Sequence, residues 1–236
     1  MSPRGSAIRS IEEAGALRLP AELELTNLGP VRVLEPFAAG KMTVVYRGTL
    51  EGRAVALKVY KPAYVKKHSE RHPVSLAEYE FTRNMAFWES PELSRYVVRP
   101  LGYLDTPGVS AIVQDLIDGE LYYDLCLRRG GPLPGVFRHL ERIVEYAHAR
   151  ELFDIDLHAM NVLVVREGGE EVPRLFDFNR VPFYLNPRNP LEALALRLGI
   201  INERSRDFKK LRQFHNFSKL LRRRSRFMAV DGGLDG

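Results

Sequence analysis

The chain has 236 residues, is 45% hydrophobic and 28% charged, carries a formal net charge of +5, and contains one cysteine. That is enough apolar material for a substantial core in one domain or two joined lobes, and it excludes wholesale disorder. The lone Cys126 excludes an intrachain disulfide, and no apolar run is long enough to span a bilayer.

A soluble, cytoplasmic protein is therefore expected. The first residues, "MSPRGSAIRSIEEAGALRLP", lack the apolar stretch of a signal peptide and read as a loose tail over 1–20. "ALRL" and "AELEL" alternate as a half-exposed strand does, and "VRVLEPF" is a clearer strand. "TVVYRGTLEGRAVALKVYK" predicts a hairpin, two β-branched runs around "LEGR". "PAYVKKHSERHPVS" reads as basic and irregular. "SLAEYEFTRNMAFWES" then predicts a helix that Ser75 caps and Ser90-Pro91 ends. "VVRPLGYLD" and "VSAIVQDLI" are two further strands across the turn "TPG". This order implies one helix against an antiparallel sheet, over residues 21–117.

After Asp118-Gly119 the pattern turns helical, and residues 118–236 are expected to form a second, helical lobe. "GELYYDLCLRRG" is one helix, with Cys126 as a small core residue. "GPLPGVFRHLERIVEYAHAREL" is another, with Phe137, Leu140, Ile143, Val144 and Ala147 on one stripe. "NVLVV" and "RLFDF" flank an acidic Gly-Gly turn and predict a small hairpin. "LEALALRLG" and "ERSRDFKKLRQFHNFSKLLRRRSRF" are helices. The last carries Phe208, Leu211, Phe214, Phe217 and Leu221 on an apolar face, and its basic stretch, 207–227, is a candidate surface for an anionic partner such as membrane headgroups or nucleic acid. A ligand would sit in a cleft between the lobes.

The residues that carry chemistry follow from what phosphoryl transfer needs: a cover and a cation for the phosphates, oxygen ligands for magnesium, and an acceptor for the substrate proton. Lys58 ends "VALK" on the second hairpin strand and suits phosphate as a point charge. Glu80, or else Glu78, on the following helix would fix that lysine. Asp156 in "FDIDLHAMNVLVV" would take the proton, and Asn161 with Asp177 would hold magnesium. Each has a plainer reading, as a solvated lysine, helix-surface charge or polar turn residue. "AAGKMT" is not a Walker A loop, since Glu35 and Met42 stand at required positions. His68 and His72 have metal-like spacing without a third ligand nearby, so a basic surface loop is the expectation.

Taken together, the chain resembles the protein-kinase-like superfamily over about residues 30 to 180. "FAAGKMTVVYRG" resembles the glycine-rich loop, "VALK" the lysine strand, "DIDLHAMN" the HRDxxxxN catalytic loop, and "DFN" the DFG motif. The resemblance implies an α+β, bilobal fold with an abbreviated helical C-lobe. It implies ATP and magnesium as cofactors and a hydroxyl-bearing protein, sugar or small molecule as acceptor. Gly40, Lys41, Val45, Ala56 and Lys58 would line the nucleotide; Gln114 would be the gatekeeper, with the Asp115 and Ile117 backbone meeting adenine. Departures are Ala38 and Thr43 at glycine positions, Asp154 for histidine, Asn179 for glycine, and no APE motif. They leave a nucleotide-binding scaffold without turnover as the alternative. Among atypical bacterial kinase-like families, the PhoP regulatory network (YrbL-like) group is similar in pairing a short C-lobe with a basic helix.

Overall fold

The computed structural model describes residues 19–25, 29–187 and 189–214. The rest of the expected N-terminal tail, and of the basic helix Phe217 and Leu221, lie outside the described residues. The chain divides into two compact units: one runs to Trp88 and resumes over Val98–Ile117; the other takes Glu89–Val97 and everything from Asp118.

The first unit is built on a six-stranded antiparallel sheet. Its strands are β1 (Glu22–Glu24), β2 (Pro30–Ala39), β3 (Thr43–Leu50), β4 (Arg53–Tyr60), β5 (Pro100–Thr106) and β6 (Val109–Asp115), in the order β1-β2-β3-β4-β6-β5. The β3–β4 hairpin turns at Glu51-Gly52, both at positive φ (51° and 79°), which is the backbone a tight two-residue hairpin demands. Gly48 is glycine for a different reason. A Cβ there would lie 2.4 Å from Leu57 Cδ1 and 2.7 Å from the Arg32 carbonyl oxygen, so β2 and β4 close over that position.

Period-2 alternation divides the sheet's residues between two faces. Val31, Val44, Tyr46, Val55, Leu57, Val59, Ala111 and Val113 make the apolar core on one face. The register Val45↔Lys58, Arg47↔Ala56 and Ala56↔Gln114 puts Val45, Ala56, Lys58 and Gln114 on the other. Helix α2 (Leu76–Trp88) packs mainly against β5 and β6. Ser75 accepts the Glu78 amide proton at 3.2 Å, the cap the sequence predicts. Phe81, Met85 and Trp88 are only half-buried; the deepest stripe is Ala77, Glu80, Asn84 and Phe87. Two polar residues sit in that stripe because each has a partner: Glu80 takes Lys58, and Asn84 donates to the Val98 carbonyl at 3.2 Å.

One expectation fails outright. The stretch read as irregular contains a helix, α1 (Pro62–Ser69), so the described residues of this unit carry a second helix beside α2. Pro62 occupies its first turn, where a missing N–H costs nothing. His68 is consequently no loop residue. It is buried on α1, its Nε2 lies 3.0 Å from the Val74 carbonyl, and burial first, then His72, lowers its pKa.

The second unit contains a 3-10 turn (Ser94–Tyr96), β7 (Glu120–Leu121), α3 (Tyr122–Arg129), α4 (Pro134–Ala149), β8 (Val162–Glu167), β9 (Glu170–Leu175), α5 (Pro190–Arg197) and α6 (Ser205–Phe214). Gly130 ends α3 in the left-handed conformation, φ 72°. The predicted α4 stripe is buried, and Cys126 lies in the α3 core with its thiol pKa raised by burial. β7, β8 and β9 form a small antiparallel sheet, with β7 an unpredicted third strand. On α6 the buried residues are Asp207, Leu211 and Phe214, while Phe208 is exposed; the expected apolar face is rotated toward Asp207. Among the described residues no helix is long and apolar enough to cross a membrane.

Candidate active site

In the first unit the chemistry centres on Lys58. Its ammonium donates to Glu80 Oε1 at 2.8 Å and Oε2 at 3.1 Å, and the Tyr60 hydroxyl donates to the same carboxylate. Lys58 is 4% exposed and Glu80 is fully buried. Of the two helix glutamates, Glu80 is the one that meets the lysine. Ala56 and Gln114 lie along the same sheet face, Gln114 buried and its Oε1 without a hydrogen-bond partner among the described residues. At the end of β6, the Asp115 amide donates to the Arg99 carbonyl at 3.0 Å. The Asp115 side chain faces Arg53 at 2.8 Å; burial raises the carboxyl pKa against the pull of Arg53 and Arg99. Ile117 follows β6, half-buried. The β2–β3 turn is closed by Gly40 N–H donating to the Thr43 carbonyl at 2.8 Å, with Lys41 exposed at its tip. Gly40 is not at positive φ, and a Cβ there would meet nothing nearer than 3.7 Å.

In the second unit the loop between α4 and β8 carries Asp154, Asp156 and Asn161. Asp154 and Asp156 both adopt the left-handed region, φ 55° and 57°, where aspartate is tolerated better than most residues. Asp207 holds that shape from α6: Oδ2 accepts the Asp154 amide at 2.8 Å and lies 3.0 Å from His148 Nε2, and Oδ1 accepts the Ile155 amide at 2.8 Å. Asp154 is itself structural, its Oδ2 accepting from the Phe183 amide and from Arg206 Nη1, each at 2.9 Å.

Asp156 Oδ1 accepts from Arg180 Nη1 at 2.8 Å and from the Lys210 ammonium. Burial pushes the Asp156 carboxyl up, but Lys210 foremost and Arg180 next outweigh it and bring the pKa down to about 2. Lys210 moves down as well, because burial and Arg180 outweigh its attraction to Asp156. The Asn161 side-chain amide donates to the Asp156 carbonyl at 3.2 Å. The β8–β9 pairing Val162↔Leu175 continues as Phe176 N–H donating to the Asn161 carbonyl at 3.4 Å, which brings the start of β8 beside the residue before Asp177. The hairpin thus joins two candidates that are 16 positions apart in sequence. His158 Nδ1 accepts the Met160 amide at 3.1 Å.

Sequence reading missed Asp207, Lys210, Arg180 and Arg206. Asp207 did leave a signal, as an acid inside the run Arg204, Arg206, Lys209, Lys210 and Arg212. Among the described residues no group of three His, Cys, Asp or Glu side chains is poised to hold a metal. Magnesium does not require one, since it keeps several waters and takes few protein oxygens. Asn161 Nδ2 donates to the Asp156 carbonyl, which leaves the amide oxygen as an oxygen donor of the kind magnesium takes, and Asp177 follows two residues after the end of β9.

No family model matches the chain. It is 28% identical, over 150 residues, to the serine/threonine-protein kinase/endoribonuclease ireA of Aspergillus fumigatus, a match covering 61% of this chain and 12% of that protein. The kinase domain of Mycobacterium tuberculosis PknI aligns with a TM-score of 0.50 at 21% identity, over 69% of this chain and 64% of that one. A double mutant of the same PknI domain gives 0.51 at 22% identity, over 82% and 75%. A further solved kinase domain gives 0.52 at 16% identity, over 71% and 55%. The chain therefore spans a small part of its curated relative and 64% to 75% of the PknI domain. What the two units share with these structures is their architecture: the chain has an α+β, protein-kinase-like fold.

Proposed function

We propose that this protein is an ATP- and magnesium-dependent phosphotransferase, an atypical kinase that phosphorylates a hydroxyl on a protein, a sugar or a small molecule. The observation that carries the reading is the Lys58–Glu80 pair. Two opposite charges are taken almost wholly out of water, 4% and 0% exposed, between residues 22 apart in sequence. A buried ion pair is commonly no more stable than a packed apolar pair of the same volume, so stability alone is a poor reason to keep it. Aiming an ammonium at phosphate is a better one.

In this reading Val45, Ala56, Gln114 and the Asp115 and Ile117 backbone receive the nucleoside, and the Gly40-Lys41 turn covers its phosphates. Lys58, held by Glu80, binds phosphate oxygens. Asp177 and Asn161 Oδ1 hold magnesium, which supplies charge neutralisation on the triphosphate when bound. Asp156 orients the acceptor hydroxyl and takes its proton. The work is positioning and electrostatics, with no covalent enzyme intermediate. The reading also places the protein in the cytoplasm, consistent with a single, buried, reduced Cys126. Kinship with the YrbL-like group rests on the basic stretch 207–227 following a short helical unit.

The test is magnesium-dependent ATP hydrolysis or autophosphorylation, with Asp177→Ala as control. Turnover in the wild type that the variant loses is expected. One observation favours a second reading, a nucleotide-binding scaffold: Asp156 already carries two cations on one oxygen, which weakens it as a proton acceptor. Wild type and variant equally silent, with nucleotide still bound, would establish it. A role for 207–227 on an anionic surface is less favoured over the part described, because Lys210 turns inward to Asp156, leaving Lys209 and Arg212 exposed.

A further inference from the structure

Lys210 is left over once the fold is accounted for. Its side chain is 14% exposed, yet its ammonium has three N–H donors, and among the described residues its acceptor is Asp156 Oδ1 alone. That oxygen also receives Arg180, so the carboxylate has its counter-ion without Lys210. An ammonium this enclosed, short of acceptors and beside a doubly contacted carboxylate, is a site awaiting an anion. Its place is fixed rather than accidental. Lys210 stands one turn after Asp207 on α6, and Asp207 grips the Asp154 and Ile155 amides of the loop that carries Asp156 and Asn161. The loop's own basic side chain, His158, has Nδ1 tied to the Met160 amide.

Resting on the phosphotransferase reading, we propose that Lys210 is a catalytic residue that binds the transferring phosphoryl group, so that α6 supplies a cation for the transition state. In the step, the acceptor oxygen forms a bond to the γ-phosphorus as the bond from that phosphorus to the β,γ-bridging oxygen breaks. ADP leaves with the electron pair, and the hydroxyl proton passes to Asp156. Lys210 donates one N–H to a non-bridging oxygen of the moving group while another stays on Asp156. Because charge accumulates on those oxygens during transfer, the contact strengthens toward the transition state and acts on turnover more than on binding.

The experiment is calorimetric titration of the full chain with magnesium ADP, with and without aluminium fluoride, for wild type, Lys210→Met and Lys210→Arg. Lys210→Met is expected to bind ADP within about threefold of wild type but the ADP–aluminium fluoride complex at least about tenfold more weakly, with turnover down about a hundredfold at nearly unchanged KM for ATP. Lys210→Arg, which keeps the charge, should recover part of the fluoride-dependent affinity. Equal affinity of wild type and Lys210→Met for the fluoride complex would overturn the assignment. So would a parallel loss for ADP and the complex, the mark of a merely structural lysine, or a wild type that gains nothing from fluoride. Should Lys210→Met not fold, Lys210→Gln, which also removes the charge, takes its place in the same comparison. Failure of the underlying reading looks different: the wild type then turns over no ATP, whether or not it binds magnesium ADP.

Discussion

Removing Glu80 tests the strongest claim about the first unit. In Glu80→Ala the Lys58 ammonium, 4% exposed, loses both oxygens that now lie at 2.8 and 3.1 Å, and the Tyr60 hydroxyl loses its acceptor. Breaking a buried pair by deleting one partner costs about 3–5 kcal/mol, since the survivor loses the opposite charge that offset its desolvation. With a urea dependence of about 2 kcal/mol per molar, the unfolding midpoint should fall by about 1.5–2.5 M. The chain contains one tryptophan, Trp88, at the end of α2, so its fluorescence follows this unit. The double variant Lys58→Met/Glu80→Leu removes both charges and should lie within about 1 kcal/mol of wild type, or above it. It should also have lost nucleotide turnover completely. A Glu80→Ala midpoint within about 0.3 M of wild type would refute the reasoning, because it would mean that the pair is not desolvated in solution.

Two further outcomes concern the second unit. Asp207→Ala leaves the Asp154 and Ile155 amides without their acceptor inside the protein; at about 1–3 kcal/mol for each unsatisfied group it should destabilise by several kcal/mol and abolish turnover, read by thermal denaturation and an ATPase assay. Retained turnover would show that the left-handed backbone at Asp154 and Asp156 needs no such clamp. For pH, the Asp156 carboxyl lies at about 2 against an ordinary 3.8. A group depressed in the folded state stabilises fully above its unfolded pKa and loses that contribution as pH falls through the folded one. The difference in stability between wild type and Asp156→Asn should therefore be flat above about pH 5 and shrink between about pH 4 and 2, as acid titrations followed by circular dichroism would show. A difference that does not change across that window would mean that Lys210 and Arg180 do not act on Asp156 as the distances imply.

The strands of the first unit were legible because β-branched alternation and the turns "LEGR" and "TPG" are local signals. Lys58 and the helix bearing Glu80 came with them, since strand and helix periods fix which residues can face each other. α1 was not legible: its lysines and His68 mask a helix that a proline opens, and its amphipathic pattern is shallow. Within α2, Glu80 and Asn84 are buried through bonds to Lys58 and Val98 that no helical period announces. The same holds for α6. Phe208 looked like core and is exposed, while Asp207 looked like surface and is enclosed by amides 52 and 53 positions away in sequence. Long-range polar satisfaction, unlike hydrophobic spacing, leaves little trace within any single segment.

Cys126, enclosed in α3, has a use of its own. It is the chain's single thiol, and maleimide or disulfide reagents can reach it only when that part of the second unit opens. Trp88 belongs to the first unit. Nature has thus supplied one optical and one chemical probe, one per half. Labelling rate and emission, recorded on the same unmodified sample, can reveal whether the halves melt together or in turn, and which of them a nucleotide protects.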